Sequence, residues 1–87
     1  MEKIDLLRQQ IDILDKELIG ILSKRLKVVN KIGDLKKQLK IPALQPKRWQ
    51  EVLKSRKNLA HKLKLNENFI EDIFNLIHKE ALKIEKN

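Results

Sequence analysis

The sequence predicts an all-α fold in which one long helix and two shorter ones form an intertwined homodimeric helical bundle. Apolar residues recur at helical spacing in three segments, and the 87-residue chain has only two glycines and two prolines. The apolar stripe of the first segment is also too long for a small monomer. We expect one domain, because a chain of this length forms a single small core.

The first helix is predicted from about residue 2 to residue 39. Its apolar stripe runs from Ile4 to Leu39 in alternating steps of three and four, with Arg25 as the cation inside it. Gly20 and Gly33 are weak points, each costing about 1 kcal/mol relative to alanine. Such a helix spans roughly 55 Å, whereas a compact domain of this length is about 30 Å across. We therefore expect a second copy of the chain to cover the excess stripe.

The two prolines predict a loop at about residues 40–46, because they bar a continuous helix. A second helix is predicted at about residues 47–62 and a third at about residues 67–85. Asn66 or Asn68 is expected to cap the third helix. The chain is thus predicted to contain three helices and no strand.

The positive charge is concentrated in the middle of the chain. Residues 24–64 hold fourteen basic and two acidic side chains, whereas the whole chain has a net charge of +8. This concentration favours an anionic partner, either a nucleic acid or a small multiply charged ligand. Only three aromatic residues are available to stack bases, and the basic residues alternate with apolar ones at helical spacing. We therefore expect a small anion and no nucleic acid.

Cysteine is absent, which excludes a disulfide framework or a thiolate metal site and fits a reducing compartment. No apolar window is long enough for a membrane span, and no signal peptide is evident. His61 and His78 have no carboxylate or cysteine at metal-ligand spacing and are interpreted as structural. We expect a soluble, cytoplasmic protein that needs no metal and no membrane.

Arg25 and Lys36 are eleven residues apart, which places them within about 20° of each other on one helix face and about 16 Å apart along the axis. They can hold one ligand between them. Arg8 also borders the stripe but lies about 25 Å from Arg25 along the helix. Only the partner subunit's Arg8 can approach Arg25, in an antiparallel or crossed dimer. Alternatively, Arg25 is a packed arginine whose guanidinium reaches water or an interhelical carboxylate.

The other candidates also have a structural interpretation. Gln45 is compatible with an ordinary loop residue, and Arg48 with an exposed residue in the first turn of its helix. Glu85 extends the inward row of the third helix, yet its place near the C-terminus is more typical of a surface carboxylate. Trp49 is most simply a core anchor.

Together these residues resemble the all-helical, type II chorismate mutases over nearly the whole chain. The matching segments are LLRQQIDILDKELIGILSKR at 6–25, KIGDLKK at 31–37, RW at 48–49 and FIEDIFNLIHKEALKIE at 69–85. The RW pair follows a loop that contains QP. In this feature the sequence looks most like the mutase domains associated with 3-deoxy-7-phosphoheptulonate synthase, which is the sugar-phosphate condensing enzyme of the same pathway.

The resemblance implies a homodimer that converts chorismate to prephenate in phenylalanine and tyrosine biosynthesis, by a Claisen rearrangement that needs no cofactor. It implies that Arg25 and the partner subunit's Arg8 bind the two carboxylates. Lys36 would donate to the ether oxygen, and Arg48 would orient the substrate and Lys36. The expected catalytic residues are Arg25, Lys36 and Glu85, and the expected substrate-binding residues are these three with Arg8, Gln45 and Arg48.

This sequence departs from the family pattern at four positions. Glu85 stands where many members have glutamine as second donor to the ether oxygen, and a carboxyl group donates only when protonated. Trp49 replaces a glutamate that contacts the substrate hydroxyl, and Gln45 stands where aspartate is common. Gln45 is therefore expected to bind the hydroxyl. Ala81 replaces a serine and offers no side-chain hydrogen bond.

Two other functions remain open at this point. Isochorismate pyruvate lyases share the fold, the ligand class and a similarly placed lysine, although the loop IPALQPKRW favours the mutase. A non-catalytic helical regulatory or docking module, cut from a longer polypeptide, is the alternative from a different class.

Overall fold

The computed structural model describes residues 2–86 and consists of three α-helices. These are α1 (Lys3–Leu39), α2 (Pro46–Lys62) and α3 (Glu67–Lys86), and this architecture confirms the predicted all-α class. α2 starts one residue earlier than predicted, at the second proline of the loop, because a proline fits the first turn of a helix.

The helices form an elongated molecule in which α3 packs against both α1 and α2. Between α1 and α2 there is no direct helix packing in the described part of the chain. The principal extents are 57 × 25 × 15 Å and the radius of gyration is 16.4 Å, compared with about 12 Å for a compact domain of this length. Despite the length of α1, no helix within residues 2–86 is long and apolar enough to cross a membrane.

The buried core is small, and much of the apolar stripe of α1 is exposed. Val52, Ala60 and Ala81 are the buried hydrophobic residues of the described chain. On α1, by contrast, Leu14 is 60% exposed and Leu18 is 56% exposed. Apolar surface of this extent is uncommon on a monomeric globular protein.

Two lysines in the left-handed conformation end the first two helices. After Lys40, with φ 56°, the Ile41 N–H donates to the Lys36 carbonyl at 2.8 Å. After Lys64, with φ 59°, an equivalent bond forms, which is the Schellman pattern at both helix ends. Of the two predicted caps, Asn66 caps α3, because its Oδ1 accepts the Phe69 N–H at 2.9 Å.

Candidate active site

The three helices and the α1–α2 loop line an open cavity of about 400 Å³. Five of the six predicted substrate-binding residues line it, namely Arg25, Lys36, Gln45, Arg48 and Glu85. The other lining residues are Val29, Ile32, Ala43, Trp49, Val52, His78 and Ala81. The cavity therefore combines apolar walls with a cluster of charged groups, which is the usual composition of a small-ligand site.

Lys36 on α1 contacts both α3 and the loop at one end of the cavity. Its Nζ lies 2.6 Å from Glu85 Oε1 on α3 and donates to the Ala43 carbonyl of the loop at 2.8 Å. Glu85 is only 9% exposed, so it is not the frayed surface carboxylate that its place near the C-terminus suggests. The ion pair thus fixes the loop and α3 relative to α1.

Gly33 is buried where α1 meets α3. A Cβ at this position would lie 2.9 Å from the Glu85 Cα, closer than real Cβ atoms approach a neighbouring backbone. Lys36 is three residues further along α1 and therefore lies on the same helix face. The sequence showed Gly33 only as a weak point of the helix, whereas the structure shows that it allows Glu85 to reach Lys36.

Arg25 carries a buried nitrogen without a hydrogen-bond partner. This atom is Nη1, and within residues 2–86 no carboxylate pairs with the guanidinium. Burial lowers the pKa of Arg25, and the neighbouring positive charges of Arg56 and Arg48 lower it further. The alternative in which Arg25 pairs with an interhelical carboxylate is therefore not found within residues 2–86, and the unpaired positive charge favours an anion as ligand.

Trp49 and His78 form one wall of the cavity, although the sequence indicated only structural roles for both. Their rings stack with centroids 3.8 Å apart and planes 7° apart. Burial lowers the pKa of His78, Glu85 raises it, and Arg25 and Lys36 lower it. The net effect lowers the pKa of His78, which favours the neutral imidazole. The sequence contained one indication that His78 faces the site. It precedes Glu85 by seven residues, about two helical turns, so the two side chains lie on the same face of α3.

Arg8 lies outside this cavity. Its side chain is 67% exposed and its Nη1 lies 3.7 Å from Asp5 Oδ1 on the same helix. A single chain therefore brings together every predicted site residue except Arg8.

Comparison with known proteins relates this geometry to one family. The family model for chorismate mutase type II matches residues 7–86. The T-protein of Haemophilus influenzae is 36% identical over 93% of this chain and 22% of its own length. A bifunctional chorismate mutase/prephenate dehydratase of Buchnera aphidicola is 34% identical over 91% of this chain and 21% of its own length. The chain thus spans about a fifth of the length of these curated relatives.

A solved structure extends the comparison to the fold. The chorismate mutase (Form II) of Thermus thermophilus superposes with a TM-score of 0.86 at 30% sequence identity. The match covers 99% of this chain and 97% of that chain. The similarity therefore includes all three helices and the loop that line the cavity.

Gly33→Ala is expected to destabilise the fold by about 1–3 kcal/mol, because the new methyl group collides with the backbone of α3 and forces the helices apart. Chemical denaturation followed by circular dichroism measures this change. Gly20→Ala is the control, since a Cβ there meets nothing within 4 Å, and it is expected to stabilise α1 by up to about 1 kcal/mol. Equal stabilisation by both substitutions would show that the close approach at Gly33 is not needed.

Proposed function

Because the chain belongs to the chorismate mutase type II family, we propose that its cavity binds chorismate and converts it to prephenate. The observation that carries this proposal is the unpartnered guanidinium nitrogen of Arg25 in a cavity with excess positive charge. A buried donor without a partner costs about 1–3 kcal/mol. A bound carboxylate would accept this hydrogen bond and remove the cost.

The charges of the cavity match a ligand with two carboxylates. Arg25, Lys36 and Arg48 contribute three positive charges to the lining, and Glu85 contributes one negative charge when it is ionised. This excess of positive charge favours a dianion such as chorismate, whose carboxylates suit the planar guanidinium fork. We assign carboxylate binding to Arg25, and orientation of the ligand and of Lys36 to Arg48.

The rearrangement needs a folded substrate and stabilisation of one oxygen. The ether bond to the ring breaks while a carbon–carbon bond forms between the enolpyruvyl chain and the ring, and negative charge develops on the ether oxygen. Val29, Ile32 and Val52 supply apolar walls that hold the chain over the ring. Lys36 uses two ammonium hydrogens for Glu85 and Ala43, and the third can be directed to the ether oxygen.

Glu85 is the proposed second donor to the ether oxygen. It accepts a hydrogen bond from Lys36, and as a carboxylate it can only accept. When it binds a proton it can donate, and it then shares with Lys36 the charge that develops on the oxygen. The protonated form is therefore the active one in this proposal.

We further propose an intertwined homodimer in which the partner subunit's Arg8 completes the site. Leu14 and Leu18 on the outer half of α1 are largely exposed, and a second copy of the helix would cover them. A separate apolar groove between α1 and the end of α3, lined by Leu22, Leu26 and Ile84 among others, offers further surface for the same contact. Because α1 is long, Arg8 lies far from the cavity of its own chain and could reach the cavity of the partner subunit.

The domain organisation and setting are part of the proposal. Residues 1–87 are proposed to act as one mutase domain, in the cytoplasm, fused to or associated with another enzyme of the same pathway. The bifunctional name of the Buchnera relative supports the wider idea of fusion. Association with the sugar-phosphate condensing enzyme rests only on the RW pair after the proline loop.

Arg25→Ala is expected to lower kcat/KM for chorismate by about 10²–10⁴-fold, because a charge-assisted bidentate contact is lost and the substrate is misplaced. Loss of chorismate absorbance with product identification measures it. Lys54→Ala, at an exposed position of α2, is the control and should retain activity. No turnover of chorismate by the folded wild type, with pyruvate released from isochorismate, would establish the lyase instead.

The second donor to the ether oxygen is tested by Glu85→Gln, because a carboxylate at this position can only accept a hydrogen bond. Glu85→Gln keeps a donor at every pH and should flatten the pH profile of kcat/KM. At alkaline pH the variant should be more active than the wild type. A profile unchanged by the substitution would remove Glu85 from the mechanism.

Mixing two inactive variants tests the shared site. Arg8→Ala and Arg25→Ala each damage both sites of a homodimer, whereas a mixed dimer has one site with both arginines intact. After refolding together in equal amounts, about half of random dimers are mixed, so activity should recover to about a quarter of the wild-type value. Variants refolded separately and then assayed together serve as the control. No recovery would show that Arg8 acts within its own chain or not at all.

A further inference from the structure

We propose that His78 binds the ring hydroxyl group of chorismate and so determines substrate specificity. This inference rests on the proposed function and adds a residue to that site. It replaces the expectation, drawn from the sequence, that Gln45 makes this contact.

The geometry leaves only the edge of the imidazole free for a polar contact. Trp49 covers one face of the ring, with centroids 3.8 Å apart and the planes nearly parallel. Both ring nitrogens lie on the edge, and neither has a hydrogen-bond partner within the described residues. Because His78 lines the cavity, its unpaired nitrogens are available to a ligand held there.

The charges around His78 favour an uncharged partner. Arg25 and Lys36 from α1, Arg48 from α2 and Glu85 from α3 are the charged groups of the cavity. Burial and the two α1 cations lower the pKa of His78, against the opposing effect of Glu85, and so favour the neutral ring. A neutral imidazole has one donor and one acceptor nitrogen, and a hydroxyl group likewise donates and accepts.

The other polar atoms of chorismate are already assigned. Its carboxylates suit the arginines, and its ether oxygen suits Lys36 and Glu85, which leaves the hydroxyl. Gln45 is exposed at the start of α2, so its side chain loses more freedom on binding. His78 is half-buried and already held in place by the stack, which reduces the entropic cost of the contact.

The test compares chorismate with an analogue that lacks the ring hydroxyl. His78→Phe keeps a flat ring against Trp49 and removes both nitrogens. It should lower kcat/KM for chorismate about tenfold, the effect of one hydrogen bond, and change the value for the analogue less than about threefold. His61→Phe is the control, because His61 is 80% exposed and paired with Glu67 instead, and it should change neither value.

A second variant separates lost contact from altered packing. His78→Gln loses the stack but keeps a donor and an acceptor, and should restore part of the preference for chorismate over the analogue. Equal losses on both substrates in His78→Phe, with no rescue by glutamine, would overturn the hydroxyl assignment. If even the folded wild type does not convert chorismate, the proposed function fails as well. If the wild type converts chorismate and the His78 variants have the same kcat/KM, only the His78 assignment is overturned.

Nuclear magnetic resonance gives a readout apart from activity. The chain has two histidines, so in His61→Gln the remaining imidazole signals belong to His78. They should titrate below the ordinary pKa of 6.5, because burial lowers the pKa of His78, and should shift when the product prephenate is added. Signals that do not respond to prephenate would show that His78 does not contact the ligand.

Discussion

The close approach of α3 to α1 at Gly33 determines where the charged groups of the cavity lie. Because this residue has no side chain, the backbone at Glu85 can pack directly on α1. The carboxylate then meets Lys36 one turn further along α1, and Lys36 in turn holds the loop through Ala43. One contact between two helices therefore sets the position of both residues proposed to act on the ether oxygen. The absence of a side chain at Gly33 allows this close packing, at a cost in helix propensity.

The same packing places several positively charged side chains close together, which costs free energy of folding. Within residues 2–86, Arg25 has no carboxylate partner, and burial, Arg56 and Arg48 lower its pKa. An arrangement of this kind opposes folding of the free chain and favours binding of an anion, which is typical of sites where stability is sacrificed for function. Glu85 reduces the repulsion at one end of the cavity only. The end of the cavity at Arg25 keeps its excess positive charge, so a substrate carboxylate would contribute most to the binding free energy there.

Helical periodicity was sufficient to predict most of this molecule. The stripe of α1 and the two prolines located the helices within a residue or so, because both signals act locally. Arg25 and Lys36 were placed on one face by spacing alone. Gly33 and His78 were misjudged for the opposite reason: their roles arise from contacts between helices, and spacing along one helix does not reveal the partner helix or its distance. Trp49 was likewise assigned to a core, whereas its ring forms a cavity wall.

The shape of α1 links assembly to chemistry in the proposed dimer. A single chain buries few hydrophobic residues and leaves Leu14 and Leu18 largely exposed, so association would supply much of the stability of the fold. The same association would deliver the partner subunit's Arg8 to the cation-rich cavity. An added arginine there increases repulsion with Arg25, which a doubly charged ligand relieves. Substrate binding would consequently strengthen the dimer, since any ligand that prefers the assembled state shifts the equilibrium toward it.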